Sequence, residues 1–180
     1  RNTTVLDLGC GNGRQLAHLQ NTYDMTVHGI DTSAAAIKQA KSLCPNSDRA
    51  TLQVRSIADP LPLPDHSCDL VLDMMTSHFL LSSARSRLLD EVLRVLKPGG
   101  FLFFKTFLRD EDRHTARLLH DYPGPEPNTY IHPVMGVPEY VYSEHDLREH
   151  LEPHFTIERI YRSHKHTYKG KARKRRTVTV

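Results

Sequence analysis

The stretch VLDLGCGNGRQL, residues 5–16, constrains the fold more than any other part of the sequence. An apolar, strand-forming run stops at Gly9, Gly11 and Gly13, and a helical pattern follows directly. Glycine has no Cβ and adopts backbone torsions that are closed to other residues, so a ligand can approach the main chain closely. The stretch therefore predicts a cofactor-binding loop at the carboxyl end of a first strand, where doubly wound sheets bind their ligands.

The first 107 residues alternate between strand-like and helix-like segments. Strands are predicted over 5–8, 26–31, 51–57, 68–75 and 101–107, and helices over 14–21, 34–43 and 84–96. Ser33 suits the N-cap of the second helix, and the KPGG turn at 97–100 is expected to end the third. Such alternation is typical of βαβ units, and it predicts an α/β fold with a parallel sheet covered by helices on both faces.

The pattern changes after residue 108. A helix is expected over 110–122, but residues 123–140 hold five prolines, which argues against a regular element there. Ser143 and Asp146 indicate a capped helix that ends near Glu152.

Two strands, over 155–164 and 175–180, are predicted to close the chain and to complete the sheet. The expected architecture is a Rossmann-like, doubly wound, seven-stranded sheet that is mostly parallel and ends in an antiparallel C-terminal hairpin.

The bulk numbers limit the class of protein. The 180 residues predict a single domain over 1–180, with 108–142 as a variable segment. Because residue 1 leads directly into a strand, the N-terminus is expected to be truncated. No apolar run approaches the roughly 20 residues of a membrane span. Three scattered cysteines fit neither a disulfide framework nor a four-cysteine zinc site, which favours a reducing compartment and a cytoplasmic location.

Two features of the C-terminal segment invite functional interpretations. The basic run KHTYKGKARKRR, 165–176, suits nucleic acid, although exposed Lys and Arg on a hairpin rim also protect a sheet edge from pairing with other chains. His164 and His166 form an HxH pair that we interpret as two solvated side chains rather than as metal ligands; no metal is expected.

The spacing of the glycine loop narrows the choice of cofactor. The dinucleotide fingerprint GxGxxG fails because its last position is Arg14, and no P-loop lysine follows. Asp31, at the end of the second strand, lies about 20 residues past the loop, where a carboxylate can accept hydrogen bonds from both hydroxyls of a ribose. The alternative is that Asp31 caps the next helix, but Ser33 is better placed for that.

Four motifs in the same order resemble one known family. VLDLGCGNG, GIDTS, ADPLPLPDHSCDLVL and RVLKPGGFLFF look like the motifs of class I S-adenosylmethionine-dependent methyltransferases, in particular the small-molecule-type domain superfamily. The resemblance covers residues 3 to about 107. It implies S-adenosyl-L-methionine as cofactor and S-adenosyl-L-homocysteine as product.

The resemblance also implies roles for particular residues. The strand-one loop would line the methionine end of the cofactor, through Asp7, Gly9, Cys10, Gly11, Asn12 and Gly13. Asp31 would hold the ribose, with Thr32 near the adenine. The adenine would lie against Ser56, Ile57 and Ala58; many relatives carry an acidic residue in place of Ile57, and Asp59 is a substitute two positions on. Asp73 and Met74 would face the methionine moiety and the methyl group.

Methyl transfer needs orientation, exclusion of water and, for some acceptors, a base. His78 is the first candidate for that base, with a structural role as the alternative, and Asp73 would either act as a base or orient the cofactor amine. Candidate acceptor-binding residues are Met75, His78, Asn128, Tyr130 and His132.

Three functions follow from these patterns. The preferred one is methylation of a small or medium-sized organic acceptor. The alternatives are methylation of tRNA or another RNA, and a non-catalytic methyltransferase-fold scaffold subunit. The sequence does not determine the oligomeric state.

Overall fold

The computed structural model of the chain describes residues 3–44, 46–110, 112–163, 166–168, 171–173 and 175–180. The helices are α1 (Arg14–Tyr23), α2 (Ala34–Leu43), α3 (Ser82–Val95), α4 (Arg113–Asp121) and α5 (Glu144–Leu151). The strands are β1 (Thr4–Leu8), β2 (Thr26–Asp31), β3 (Ala50–Val54), β4 (Cys68–Met74), β5 (Leu96–Phe107), β6 (Thr129–Ile131), β7 (Pro138–Tyr140), β8 (Tyr161–Ser163), β9 (His166–Tyr168), β10 (Lys171–Arg173) and β11 (Thr177–Thr179).

Seven of these strands form one sheet in the order β3-β2-β1-β4-β5-β11-β8. Strand β1 pairs in parallel with β2 and with β4, whereas β11 is antiparallel to both β5 and β8. The predicted fold is therefore confirmed, including its antiparallel last pair. Strands β6 and β7, and strands β9 and β10, form two further antiparallel pairs.

The chain divides into two compact units. The N-terminal unit comprises 1–77 and 86–103, and the C-terminal unit comprises 78–85 and 104–180. Helix α3 and strand β5 each contribute residues to both units. In the described residues, no helix has the length and apolar character that spanning a bilayer requires.

In the N-terminal unit, each of the first two helices buries one stripe of side chains. Leu16 of α1 and Ile37 and Ala40 of α2 join Val27 and Leu52 from the strands in one core cluster. The spacing of three between Ile37 and Ala40 keeps both on the same helix face. The side chain of Ser33 accepts a hydrogen bond from the N–H of Ala36, as expected of the N-cap of α2.

In the C-terminal unit, both helices begin at a capping side chain. Asp112 accepts hydrogen bonds from the N–H groups of His114 and Thr115 at the start of α4. Ser143 and Asp146 form the capping box that the sequence predicts at the start of α5. These caps satisfy N–H groups that the first turn of a helix leaves without partners.

Some predicted element boundaries are wrong. No separate turn at KPGG divides α3 from β5: the strand begins at Leu96, directly after the helix, and absorbs Gly99 at a φ of 77°. Strand β3 ends at Val54, so Ser56 and Ile57 lie in the following turn.

The proline-rich segment 123–140 is the larger error, because it contains β6 and β7. Pro138 is tolerated there since it is the first residue of its strand, where a missing N–H costs least. Part of the basic segment 165–176, interpreted above as a hairpin rim, forms the additional strands β9 and β10. His164, half of the HxH pair, lies outside the described residues.

Candidate functional site

The glycine loop of the N-terminal unit has the predicted left-handed backbone, but its glycines serve two different purposes. A Cβ at Gly9 would lie 2.3 Å from Thr76, and one at Gly13 would lie 2.6 Å from the Cβ of Ala40. Both positions are therefore needed for packing of the loop itself. Gly11 has a φ of 53°, and among the described residues other than its chain neighbours no atom lies within 4 Å of its Cβ position. It is therefore Gly11 that leaves the main chain accessible to a ligand.

Asp31 holds this loop in place. Its Oδ2 accepts a hydrogen bond from the N–H of Gly11 at 2.9 Å, and its Oδ1 accepts one from the N–H of Ser33 at 2.8 Å. A carboxylate has about four acceptor positions, so both oxygens keep capacity for further donors. Asp31 thus joins the loop, the end of β2 and the start of α2 while it remains able to accept hydrogen bonds from two hydroxyls.

Three carboxylates meet at the carboxyl ends of β2, β1 and β4. Asp7 and Asp73 are buried, and Asp31 is partly exposed. Burial first, and then the charges of Asp73 and Asp31, raise the pKa of Asp7 to about 7. Burial also raises the pKa of Asp73, although its Oδ1 accepts a hydrogen bond from the N–H of Ser77 at 3.1 Å. This edge of the sheet is therefore suited to a cation.

Two further residues of the predicted cofactor site turn away from solvent. The N–H of Cys10 donates to the carbonyl of Ile30 at 3.0 Å, while its thiol joins the core cluster. Burial, followed by Asp7, raises the pKa of that thiol to about 12. Ile57 is also buried, whereas Ala58 and Asp59 after it are exposed.

The tip of β4 carries a strained backbone. Met75 has a φ of 66°, in a backbone region that residues other than glycine rarely adopt. Before it, the Sδ of Met74 accepts a hydrogen bond from the Nε2 of Gln15 at 3.1 Å. Such strain is concentrated at functional sites, where the surrounding structure has to maintain it. Sequence reasoning missed both Gln15 and Thr76, because neither residue type signals a cofactor contact at its place in the sequence.

The C-terminal unit holds the other predicted residues, and it buries His78. The exposed fraction of its side chain is 1%, and its ring lies 5.7 Å from that of Phe107, centroid to centroid. Burial lowers the pKa of His78 to about 4. Among the described residues, neither ring nitrogen has a hydrogen-bond partner.

The three residues predicted in the proline-rich segment differ in their surroundings. The hydroxyl of the buried Tyr130 donates to Oε1 of Glu139. His132 uses its Nδ1 to accept from the N–H groups of Val134 and Met135, both at 3.2 Å. Asn128 is a turn residue at a φ of 59°.

Sequence reasoning missed the charged residues of this unit. Glu139 and Arg175 form an ion pair at 2.8 Å, and their side chains are 1% and 6% exposed. The guanidinium of the buried Arg85 stacks on the Tyr140 ring at 3.9 Å. Arg175 belongs to the basic segment interpreted above as an exposed hairpin rim, and for this residue that interpretation is wrong. No local pattern separates one inward-facing arginine from its exposed neighbours.

These features define a class of protein. It has a doubly wound α/β fold, a glycine loop, an aspartate with acceptor capacity at the end of β2, and clustered carboxylates, and it suits a nucleoside cofactor that carries positive charge. A family model described as a methyltransferase domain matches residues 6–104, more than half of the chain. The chain belongs to this methyltransferase family, which confirms the resemblance to class I S-adenosylmethionine-dependent enzymes.

Curated relatives and solved structures agree with this assignment. The chain is 32% identical over 123 residues to trans-aconitate 2-methyltransferase of Azoarcus sp., covering 68% of this chain and 46% of the relative. It is 36% identical over 121 residues to 2-methyl-6-phytyl-1,4-hydroquinone methyltransferase of Synechocystis sp., covering 67% and 37%. The chain thus spans less than half the length of these relatives.

A crystal structure of a SAM-dependent methyltransferase from Methanosarcina mazei has the same fold. It superposes with a TM-score of 0.79 at 24% identity, over 99% of this chain and 91% of the other.

Proposed function

We propose that this chain transfers a methyl group from S-adenosylmethionine to a small or medium-sized organic acceptor. The observation that carries the proposal is the junction of Gly11 and Asp31: an accessible main chain held against a carboxylate that keeps acceptor capacity. The two curated relatives described above are named for the methylation of trans-aconitate and of a phytyl hydroquinone, which are small or medium-sized organic molecules. We also propose that residues 1–180 form one methyltransferase domain, since β5 contributes to both units.

The carboxylates of Asp7, Asp31 and Asp73 form an acidic edge of the sheet in the N-terminal unit, and this acidic edge fits the cofactor. S-adenosylmethionine supplies a sulfonium-activated methyl carbon, and it carries an ammonium group as well. Asp31 would accept hydrogen bonds from the ribose hydroxyls, and the Gly11 main chain would allow close approach. Asp7 and Asp73 would balance positive charge. That charge would offset burial and then repulsion, the two causes that raise the pKa of Asp7.

The remaining predicted residues would orient the cofactor rather than take part in proton transfer. Thr32 and Ala58 are exposed beside the ends of β2 and β3, where they are available to an adenine. The buried Ile57 would pack against the base, without the carboxylate that many relatives place there. Asp73 would position the cofactor amine, because its own oxygen already receives the Ser77 N–H.

His78 would be a weak general base. A histidine with a pKa of about 4 is neutral at pH 7, but it has little tendency to accept a proton. The His78 environment therefore favours an acceptor whose nucleophilic atom is already ionised or needs no deprotonation. Met75 and Tyr130 are the other residues that we assign to acceptor binding. The Nδ1 of His132 and the turn conformation of Asn128 already serve the local backbone.

The first experiment is calorimetric titration of the chain with S-adenosylhomocysteine, beside the Asp31→Ala variant. Micromolar binding that the variant loses would support the cofactor site. A folded wild type that binds neither form of the cofactor would contradict the proposal and would favour a scaffold role. Of the basic segment 165–176 only part is described, and Arg175 within it is buried, so no described feature favours RNA as acceptor.

A further inference from the structure

The guanidinium of Arg175, in the C-terminal unit, is only partly used. Its Nη1 donates to Oε1 of Glu139 at 2.8 Å, and the hydroxyl of Tyr130 donates to the same oxygen. Within the described part of the chain, Nε and Nη2 of Arg175 have no hydrogen-bond partner, although the side chain is 6% exposed. A buried N–H without a partner costs free energy, because it has given up water and received nothing in return.

The two nitrogens without partners, Nε and Nη2, lie along one edge of the planar guanidinium. Nε–H and one N–H of Nη2 point in the same direction and form a planar fork that matches the two oxygens of a carboxylate. Glu139 occupies a different edge of the same group through Nη1. Arg175 can therefore keep its ion pair and bind a second carboxylate through two parallel hydrogen bonds.

His78 is another buried side chain of this unit whose polar atoms have no hydrogen-bond partner among the described residues. The Phe107 ring links it to Arg175: the Cζ of Arg175 lies 3.3 Å from the centroid of that ring, and the His78 ring lies 5.7 Å from it. The charged and titratable groups that act on His78 are Glu139, Arg175, Arg85 and His132. Glu139 alone among them favours a protonated imidazole.

We propose that the free fork of Arg175, together with His78, binds a carboxylate group of the methyl acceptor. This assignment rests on the proposed function and specifies its substrate class as an organic acid. Binding a carboxylate beside the ion pair of Arg175 and Glu139 adds one negative charge to a buried cluster. His78 offsets that charge by taking up a proton, so acceptor binding is coupled to proton uptake and weakens as pH rises.

Charge and access distinguish a carboxylate from other anions. A phosphate dianion would add two negative charges, whereas His78 supplies one positive charge at most. Because the fork is closed to solvent, a ligand reaches it only when a neighbouring side chain moves. Association is therefore expected to be slower than for an open site.

The test uses malonate as a simple dicarboxylate, with malonamide as its uncharged counterpart, on the chain saturated with S-adenosylhomocysteine. The imidazole signals of His78 are followed by NMR, and they are identified by their loss in His78→Gln. We expect millimolar malonate, but not malonamide, to shift these signals and to raise the pKa of His78. Calorimetry in two buffers of different ionisation enthalpy should show proton uptake.

Arg175→Lys keeps the positive charge beside Glu139 but removes the fork, and it should weaken malonate binding at least tenfold. Arg85→Lys is the matched control, because it makes the same change at another buried arginine among the described residues of the unit. Two outcomes would overturn the inference: malonate does not shift the His78 signals of the wild type, or it binds Arg175→Lys as tightly as the wild type. Retained binding of S-adenosylhomocysteine in those samples shows that the chain is folded and leaves the proposed function intact, whereas loss of that binding in the wild type would contradict the proposed function instead.

Discussion

The two units use buried charge in opposite ways. The N-terminal unit places three carboxylates together at adjacent strand ends, where burial first, and then their repulsion, raises the pKa of Asp7. The C-terminal unit buries Glu139 against Arg175, so its charges compensate each other. Like charges in a folded protein store free energy that a cationic ligand can release. A compensated pair adds little net stability, but removal of one partner is costly because the other charge is then buried alone.

The largest expected effect comes from breaking the pair. Glu139→Gln should lower the free energy of unfolding by about 3–5 kcal/mol, because it leaves the Arg175 charge buried without compensation. Urea denaturation followed by circular dichroism measures this. The double variant with Arg175→Gln should recover most of the loss. Single variants that cost less than about 1 kcal/mol would show that the pair is not a structural unit.

The opposite result is expected at the acidic edge. Asp7 has a pKa of about 7 in the fold and 3.8 as an ordinary group. At a pH between these two values, Asp7 therefore releases a proton when the protein unfolds. Wild-type stability should therefore fall, relative to Asp7→Asn, as pH rises through this window, by up to about 4 kcal/mol. Thermal melts of both proteins at several pH values test this. A pH-independent difference in stability would contradict the raised pKa of Asp7.

Asp7→Asn should also bind S-adenosylmethionine less tightly, since it removes one of the carboxylates that would balance the positive charge of the cofactor. We therefore expect Asp7→Asn to be more stable than the wild type but to bind the cofactor less tightly. This combination is typical of a binding site whose charges destabilise the unliganded protein.

The effect of Asp31→Ala sharpens the comparison through the ligand. Two charge-assisted hydrogen bonds to a ribose are lost, and affinity for S-adenosylhomocysteine should fall roughly a hundredfold or more. Asp90→Ala, on the exposed face of α3, removes the same charge and is the matched control. Calorimetry should find wild-type affinity for the control; an equal loss in both variants would contradict the assigned role.

The smallest effect is expected at Gly11. Gly11→Ala should cost about 1 kcal/mol of stability, because an L-residue is strained at positive φ. Gly99→Ala is a close match: the φ of Gly99 is 77°, and in the described part of the chain, its neighbours apart, nothing lies within 4 Å of its Cβ position. Both variants should melt at similar temperatures, but Gly11→Ala alone should weaken binding of S-adenosylhomocysteine. Unchanged binding would show that Gly11 does not face the cofactor.

Sequence patterns predicted the N-terminal elements closely. Strand β2 and helix α2 have the predicted bounds, Thr26–Asp31 and Ala34–Leu43. The signals there are local, since a buried strand, a capping serine and a glycine loop each act within a few residues. The proline-rich segment was mispredicted because its pairing of β6 with β7 depends on hydrogen bonds between residues that local propensity does not relate.

The sequence by itself determined the fold, the glycine loop and the position of Asp31 beside it, because each of them follows from the order of residues along a few neighbouring strands. Only the tertiary structure decided that Arg175 faces inward, that Glu139 and Tyr130 meet it, and that His78 is buried with a pKa near 4. The physical reason is that burial and charge pairing depend on residues that are distant along the chain. They become neighbours only when strands and loops from separate segments pack together.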